Sequence, residues 1–330
     1  MSVLLPAYNA GSTIAAALES VRRQDEPRWE CVVVDDGSVD GTAAVARCAA
    51  ASDPRFRVIG VPHRGVVAAL QAGLAECRGR YVARMDADDL MRRDRLRRQL
   101  DALELQPELS AVGSHVRLFP RGRLAGGMLA YERWLASIDS PGSVRREAFV
   151  ECPVAHPTLT LRAEVLRRYG YRDRGWPEDY DLVLRLLAAG ESIAVIPRRL
   201  LSWRDDPERL SRTSATCSIE CIVACKAEFL ASGPLVGSRQ YILWGYGGTG
   251  KALARALERH DRHPTHIVEL HPGRIGQRIC GADVIAPAQL PDVPPAPIVV
   301  SVAGAGPRAE IRVALDSMGY REGRDFVCAA

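Results

Sequence analysis

Lysine is nearly absent from this chain: Lys226 and Lys251 are the only two among 44 basic residues, so arginine carries the positive charge. Phenylalanine and methionine number five each, and aromatics make up only 6% of residues. No basic run carries the interleaved aromatics of a nucleic-acid surface, which argues against nucleic acid as a partner. No apolar run approaches the roughly 20 residues needed to cross a bilayer. Strand-like Val3-Leu4-Leu5 begins at once, leaving no room for a secretory leader. A cytoplasmic protein is expected, and a location at the inner face of the cell membrane through a peripheral arginine contact is left open. The nine cysteines are odd in number and scattered, which predicts reduced thiols. Cys217, Cys221 and Cys225 recur every four residues on a predicted helix; small buried residues explain that spacing better than a metal stripe.

What is present fits a globular protein: 330 residues, 47% apolar and 25% charged, enough for one large or two ordinary domains. The net charge of +4 is mild, and arginine forks suit phosphate or carboxylate groups without demanding them.

The first 90 residues alternate strand and helix patterns. Strands are predicted at 3–6, 30–34, 57–61 and 81–85. Helices are predicted at about 12–23, capped by Ser12 or Thr13, at 42–51 and at 66–75. This is the pattern of an α/β fold with a doubly wound parallel sheet, in which ligands bind beyond the carboxyl ends of the strands. Tyr8, Asp35, Asp36 and Asp86–Asp89 all fall at such ends. Residues 91–98 read as a helix with solvated arginines, 109–197 as mixed α and β with a strand at 152–161, and 178–189 as an amphipathic helix. The break Ala231-Ser232-Gly233-Pro234 predicts a domain boundary, giving one domain at 1–232 (halves at about 1–110 and 111–232) and a second at 238–330.

Arg84-Met85-Asp86-Ala87-Asp88-Asp89 places three carboxylates in four residues directly after an apolar strand. Such acids repel one another unless a cation neutralises them, and Mg²⁺ or Mn²⁺ carrying a diphosphate fits that need. An Asp-x-Asp alone is weak, since acidic turns are common.

Taken in order, Val3–Asn9, Val33–Ser38, Ala83–Asp89, His156-Pro157-Thr158 and Pro177–Leu182 closely resemble the family 2 glycosyltransferases, over about residues 1–215. The resemblance implies the GT-A fold, an inverting transfer from a nucleoside-diphosphate sugar (UDP by family habit), and Mg²⁺ or Mn²⁺ as cofactor. It implies that Pro6 and Tyr8 wall the nucleobase, Asp36 accepts a base N–H, and Asp35 supports the loop or ribose. Asp86 and Asp88 would hold ribose and metal, with Asp88 the direct ligand. Arg84 would pair with phosphate or balance the acids, and both readings stay open. Asp179 would be the catalytic base, with Glu178 next in line; as a helix start, those acids would equally suit the positive end of the dipole. Arg204 and Arg212 fall where the family closes over the diphosphate. His156, Trp134 and Trp176 are weaker candidates for the acceptor side, and core packing is the competing reading for each. The Gln-x-x-Arg-Trp signature of processive relatives is absent, so addition of one sugar to a glycan, lipid-linked or natural-product hydroxyl is expected.

The last 90 residues look like a small Rossmann-like domain. Gly245-x-Gly247-x-x-Gly250 follows a strand and opens a helix, with Glu269 at the end of the next strand. That context suits a nucleotide or dinucleotide, with packing or oligomer formation as the alternative role. Gly245–Lys251 is also a near P-loop, but Ala252 replaces the residue that would hold Mg²⁺. No Tyr-x-x-x-Lys pair exists, which disfavours an NAD(P)-dependent oxidoreductase. A non-catalytic nucleotide-sugar-binding protein is the other alternative.

Overall fold

The apolar run that opens the chain forms β1 (Ser2–Ala7), and every one of its residues is buried. Burial on both faces is what an interior strand of a parallel sheet requires. The following strands are β2 (Glu30–Asp35), β3 (Phe56–Gly60), β4 (Tyr81–Arg84), β5 (Leu90–Met91), β6 (Leu109–Phe119), β7 (Thr160–Arg162) and β8 (Ser192–Arg204). They join in one sheet of order β3-β2-β1-β4-β7-β6-β8-β5. The strands β3, β2, β1 and β4 run parallel. β7 is antiparallel to β4. The helices Ile14–Arg22, Thr42–Ser52 and Val66–Glu76 make the crossovers. A computed structural model describes the backbone of residues 1–330 and every side chain except those of residues 210 and 211.

The register places the strand ends together. Ala7 pairs with Asp35, and the Met85 amide donates to the Leu4 carbonyl at 3.0 Å. The helix Val66–Glu76 lies so close that a Cβ on Gly73 would sit 2.3 Å from Leu4 Cδ1. Val3, Leu5, Ile14, Leu18, Val33 and Met85 anchor the core on one side of this sheet.

The chain divides into two compact units: Met1–Val144 with Pro153–Arg174 and Ala189–Arg209, and Arg145–Cys152 with Gly175–Ala188 and Leu210–Ala330. The break at 231–234 is therefore not the dividing line. Val223, Ala227 and Leu230 of the helix Ile219–Ser232 share a core with Tyr241, Leu243 and Leu253, so that helix packs as part of the second unit.

The second unit holds β9 (Gln240–Trp244), β10 (His263–Val268), β11 (Arg278–Ile279), β12 (Ala282–Ile285), β13 (Ile298–Val300) and β14 (Phe326–Cys328). Their order is β11-β12-β10-β9-β13-β14. All pairs are parallel except β11 with β12. Chain direction along the sheet switches between β9 and β13. Gly245 follows β9 with φ at +92°. Gly250 lies in the helix Gly248–Glu258.

Several expectations are corrected. Residues 152–161 form a 3₁₀ turn (His156–Thr158) and only the short β7, because Pro153 and Pro157 lack the amide a ladder needs. The helix expected at 91–98 is Arg95–Leu105, and its first arginine is fully buried rather than solvated. Thr13 precedes the helix Ile14–Arg22 without a side-chain cap; its hydroxyl donates instead to the Ala10 carbonyl at 3.2 Å. Cys217 lies in a 3₁₀ turn before the helix Ile219–Ser232, and of the three spaced cysteines only Cys225 is buried.

The glycines after β9 separate by packing. A Cβ on Gly250 would lie 2.2 Å from the Gly245 carbonyl oxygen, whereas one on Gly247 meets nothing within 4 Å. Gly250→Ala is expected to lower stability by about 1–3 kcal/mol, as overpacking against immovable backbone does. Gly247→Ala should melt like the wild type. Equal melting of the two variants in thermal denaturation would contradict this account.

Candidate active site

Three strand ends of the first unit carry the candidate residues. Pro6 is buried in β1, and Tyr8 just beyond it is 46% exposed. The Tyr8 ring stacks on His63, with centroids 3.9 Å apart and planes 11° from parallel. Asp36 holds this arrangement. Its Oδ1 accepts the Arg64 amide at 3.0 Å, and its Oδ2 accepts the Gly65 amide at 2.9 Å. His63 Nδ1 lies 2.9 Å from the same Oδ2. Asp36 thus fixes the turn that carries His63, and a carboxylate so engaged keeps lone pairs for further donors. Asp35 Oδ1 accepts the Ser38 amide at 3.3 Å. His63 escaped the sequence reading. Its signal was Pro62-His63-Arg64-Gly65, a strand-to-helix turn at the ligand end of the sheet.

Beyond β4, Asp86, Asp88 and Asp89 each offer a carboxylate oxygen, and these atoms lie within 4.8 Å of one another. The set is all hard oxygen, the chemistry that Mg²⁺ or Mn²⁺ selects. Asp89 Oδ2 is buried and has no hydrogen-bond partner among the described residues, so one acceptor faces an unmet demand. Burial and the neighbouring Asp86 push the Asp88 carboxyl up to about 6. Burial, Asp86 and Asp88 likewise raise Asp89 well above its ordinary value. Arg84, itself buried, pairs with Asp86. The Arg204 amide donates to Asp89 Oδ1 at 2.8 Å, and Arg204 Nε donates to the Asp88 carbonyl at 2.9 Å. Its guanidinium lies 4.6 Å over the Phe119 ring, so Arg204 stands at the acidic loop.

Arg95 underlies this loop. Fully buried, it donates from Nη2 to the Arg84 carbonyl at 2.8 Å and from Nε to Gln99 Oε1 at 2.9 Å. Gln99 in turn donates to the Thr158 carbonyl at 2.6 Å and accepts from Thr160 Oγ1 at 2.8 Å. Burial lowers the guanidinium to about 9, opposed by the attraction of Asp89, so it stays charged at neutral pH. Sequence reading missed Arg95 because it lies in a run of arginines that resembles a solvated face.

His156 is buried, with Nε2 3.0 Å from the Tyr171 hydroxyl. Burial and the Arg84 charge hold it well below the usual imidazole value, so it is neutral at pH 7. Trp134 stacks with Tyr131 at 5.6 Å.

The second unit carries the remaining candidates. Glu178 and Asp179, both half-buried, open the helix Glu178–Ala188. Asp179 Oδ1 accepts the Tyr180 amide at 2.7 Å. Trp176 Nε1 donates to Asp181 Oδ1 at 3.1 Å, and Arg185 Nε donates to Asp181 Oδ2 at 2.7 Å, so buried Asp181 is a structural ion-pair member. Arg212 is exposed. Glu269 accepts from Arg274 Nη1 at 2.9 Å, which engages the acid that a ribose would require.

A parallel half-sheet with acids and an exposed aromatic at its strand ends fits a nucleotide-sugar glycosyltransferase of the GT-A fold. Glycosyl transferase family 2 matches residues 2–170, and the chain belongs to that family. It is 32% identical over 256 residues to the succinoglycan biosynthesis protein ExoO of Rhizobium meliloti (strain 1021), covering 73% of this chain and 70% of that protein. Among solved structures, S. aureus TarS 1–349 in complex with UDP-GlcNAc superposes with a TM-score of 0.54 at 18% identity, covering 78% of this chain and 72% of that one. The mannosyltransferase PcManGT from Pyrobaculum calidifontis in complex with GDP-Man and Mn²⁺ gives a TM-score of 0.51 at 23% identity, covering 70% and 61%.

The raised carboxyl at Asp88 has a sign. An acid raised from its ordinary 3.8 to about 6 binds its proton more tightly folded than unfolded. Its contribution to stability therefore falls as pH rises through that window and stays as a penalty above it. A divalent cation held there would remove the penalty and would compete with the proton below about pH 6. Mn²⁺ should raise the melting temperature more at about pH 7.5 than at about pH 5, and not at all in Asp88→Ala. An equal shift at both pH values, or in the variant, would place the cation elsewhere.

Proposed function

We propose that this protein moves one sugar from a nucleoside-diphosphate sugar, UDP-linked, to a hydroxyl of a glycan, lipid-linked or natural-product acceptor, in a metal-dependent reaction that inverts the anomeric centre. The observation that carries the reading is the Asp86, Asp88 and Asp89 cluster beyond β4, with its shared oxygen donors and raised carboxyls. The UDP-GlcNAc bound to TarS and the GDP-Man and Mn²⁺ bound to PcManGT support the donor class and the cation. The place of ExoO in succinoglycan biosynthesis supports a saccharide-type acceptor.

Held by Asp86, Asp88 and Asp89, a divalent cation would supply Lewis-acid stabilisation of the leaving nucleoside diphosphate. Asp88 would be its direct ligand, and Asp86 would help hold the ribose and the metal. Tyr8, backed by His63, offers a face for the base to stack on, and Asp36 keeps that face in place. Arg204 stands ready for phosphate. Inversion calls for a base that takes the acceptor proton as its oxygen attacks the anomeric carbon. Asp179 fills that role, with Glu178 beside it; both lie half-buried in the first turn of their helix.

The test is release of nucleoside diphosphate from a panel of UDP-, GDP- and dTDP-sugars, with and without Mn²⁺. Asp88→Ala should lose metal-dependent release. Asp179→Asn should lose about 10²–10⁴-fold in turnover while still binding UDP. Release that is indifferent to Mn²⁺ and to both substitutions would refute the proposal.

A further inference from the structure

The helix that carries Asp179 belongs to the second unit, together with the C-terminal sheet and the segment Arg145–Cys152. Its attachment there is polar as well as apolar. Tyr180, 1% exposed, donates its hydroxyl to the Ala148 carbonyl at 2.8 Å. Ala148 lies on that short segment, and the segment is tied to the helices Ala305–Ser317 and Ile219–Ser232 that flank the C-terminal sheet. Glu147 pairs with Arg312 at 2.9 Å and lies 3.8 Å from Arg308; Arg312 also pairs with Glu322. Val150 gives its carbonyl to the buried Lys226 ammonium at 2.7 Å, and the same ammonium donates to the Ala329 carbonyl at 3.3 Å, just past β14. Phe149 and Val150 add their side chains to the two cores of that sheet.

The apolar packing of this helix leaves a space on one side. A cavity of about 240 Å³ is lined by Leu184 and Leu187 of the helix together with Phe149, Ile298, Phe326 and Val327. Apolar walls that leave such a space define a separation loosely, whereas buried hydrogen bonds are directional and costly to break. The Tyr180–Ala148 bond follows Asp179 by one residue, so it sets the rotation and depth of the turn that presents the carboxylate.

We propose that the C-terminal sheet is the mount of the catalytic base, with Tyr180, Glu147 and Lys226 as positioning residues that act on the reaction through Asp179. This rests on the reading of Asp179 as base. The C-terminal unit then has a role in turnover that needs no nucleotide of its own. An approach geometry changed by as little as 1 Å costs up to about 10²-fold in rate.

The test uses full-length Tyr180→Phe and Lys226→Met, two substitutions that keep shape and remove only the polar contact. Three quantities are read: turnover of the best donor with Mn²⁺, affinity for UDP with Mn²⁺ by calorimetry, and melting temperature. The expected result is a fall in kcat of about ten- to a hundredfold with KM for the donor and UDP affinity unchanged, at temperatures where both variants are folded. Wild-type kcat in both, or a loss of kcat matched by a loss of UDP affinity, would overturn the proposal. Asp179→Asn separates the two readings. If it is active, the base reading falls and the mount with it. If it is inactive while Tyr180→Phe and Lys226→Met turn over normally, the base reading stands and the mount falls.

Discussion

The enclosure of three neighbouring carboxylates, Asp86, Asp88 and Asp89, is the constraint on which the rest of this site depends. Burial first, and then the repulsion of carboxylates within 4.8 Å of one another, raises Asp88 and Asp89 above the ordinary carboxylate value. The fold tolerates them because cations are built in around them. Arg84 pairs with Asp86 from a buried position, and Arg95, wholly enclosed, stands behind the Arg84 carbonyl. A buried arginine with good acceptors is costly to desolvate, and removing either partner would leave an uncompensated charge. The acidic loop and the helix that follows it therefore stand or fall together.

The topology puts the acids to use. Parallel pairing of β3, β2, β1 and β4 brings Tyr8, Asp36 and the acidic loop to one end of a single sheet. Backbone bonds then spend part of the acidic groups on loop shape: Asp36 on the turn at 63–65, and Asp89 on the end of β8 through the Arg204 amide. Structural and chemical roles are thus shared by the same carboxylates. In the second unit Asp181, two residues beyond Asp179, accepts from Arg185 and Trp176.

The alternating pattern of the first 90 residues was legible because β-branched runs and glycine or aspartate turns mark each strand and its exit. The strands at 2–7, 30–35, 56–60 and 81–84 fall within a residue or two of expectation. The Asp86 and Asp88 pair was legible for the same reason, as local sequence at a strand end. Arg95 and His63 were not. Nothing in Arg92-Arg93-Asp94-Arg95 distinguishes the one arginine that turns inward, since its partners are Gln99 one turn further along the helix and the Arg84 carbonyl at the end of β4, and Gln99 is itself tied to the distant Thr158 carbonyl. Likewise His63 gains meaning only by stacking on Tyr8, 55 positions earlier in the chain.

By itself the sequence determined the class of fold, the family and the acids at the strand ends, because all three are written in short-range pattern: periodicity, turn residues and contiguous motifs. Only the tertiary structure decided which unit owns which segment. Residues 145–152 and 175–188 pack with a sheet that begins only at Gln240, leaving the helix 219–232 and the break after it inside that unit rather than at its border. The reason is physical. Pattern specifies which face of an element is apolar, but the partner that covers the face is chosen by packing and buried polar bonds between residues far apart in the chain.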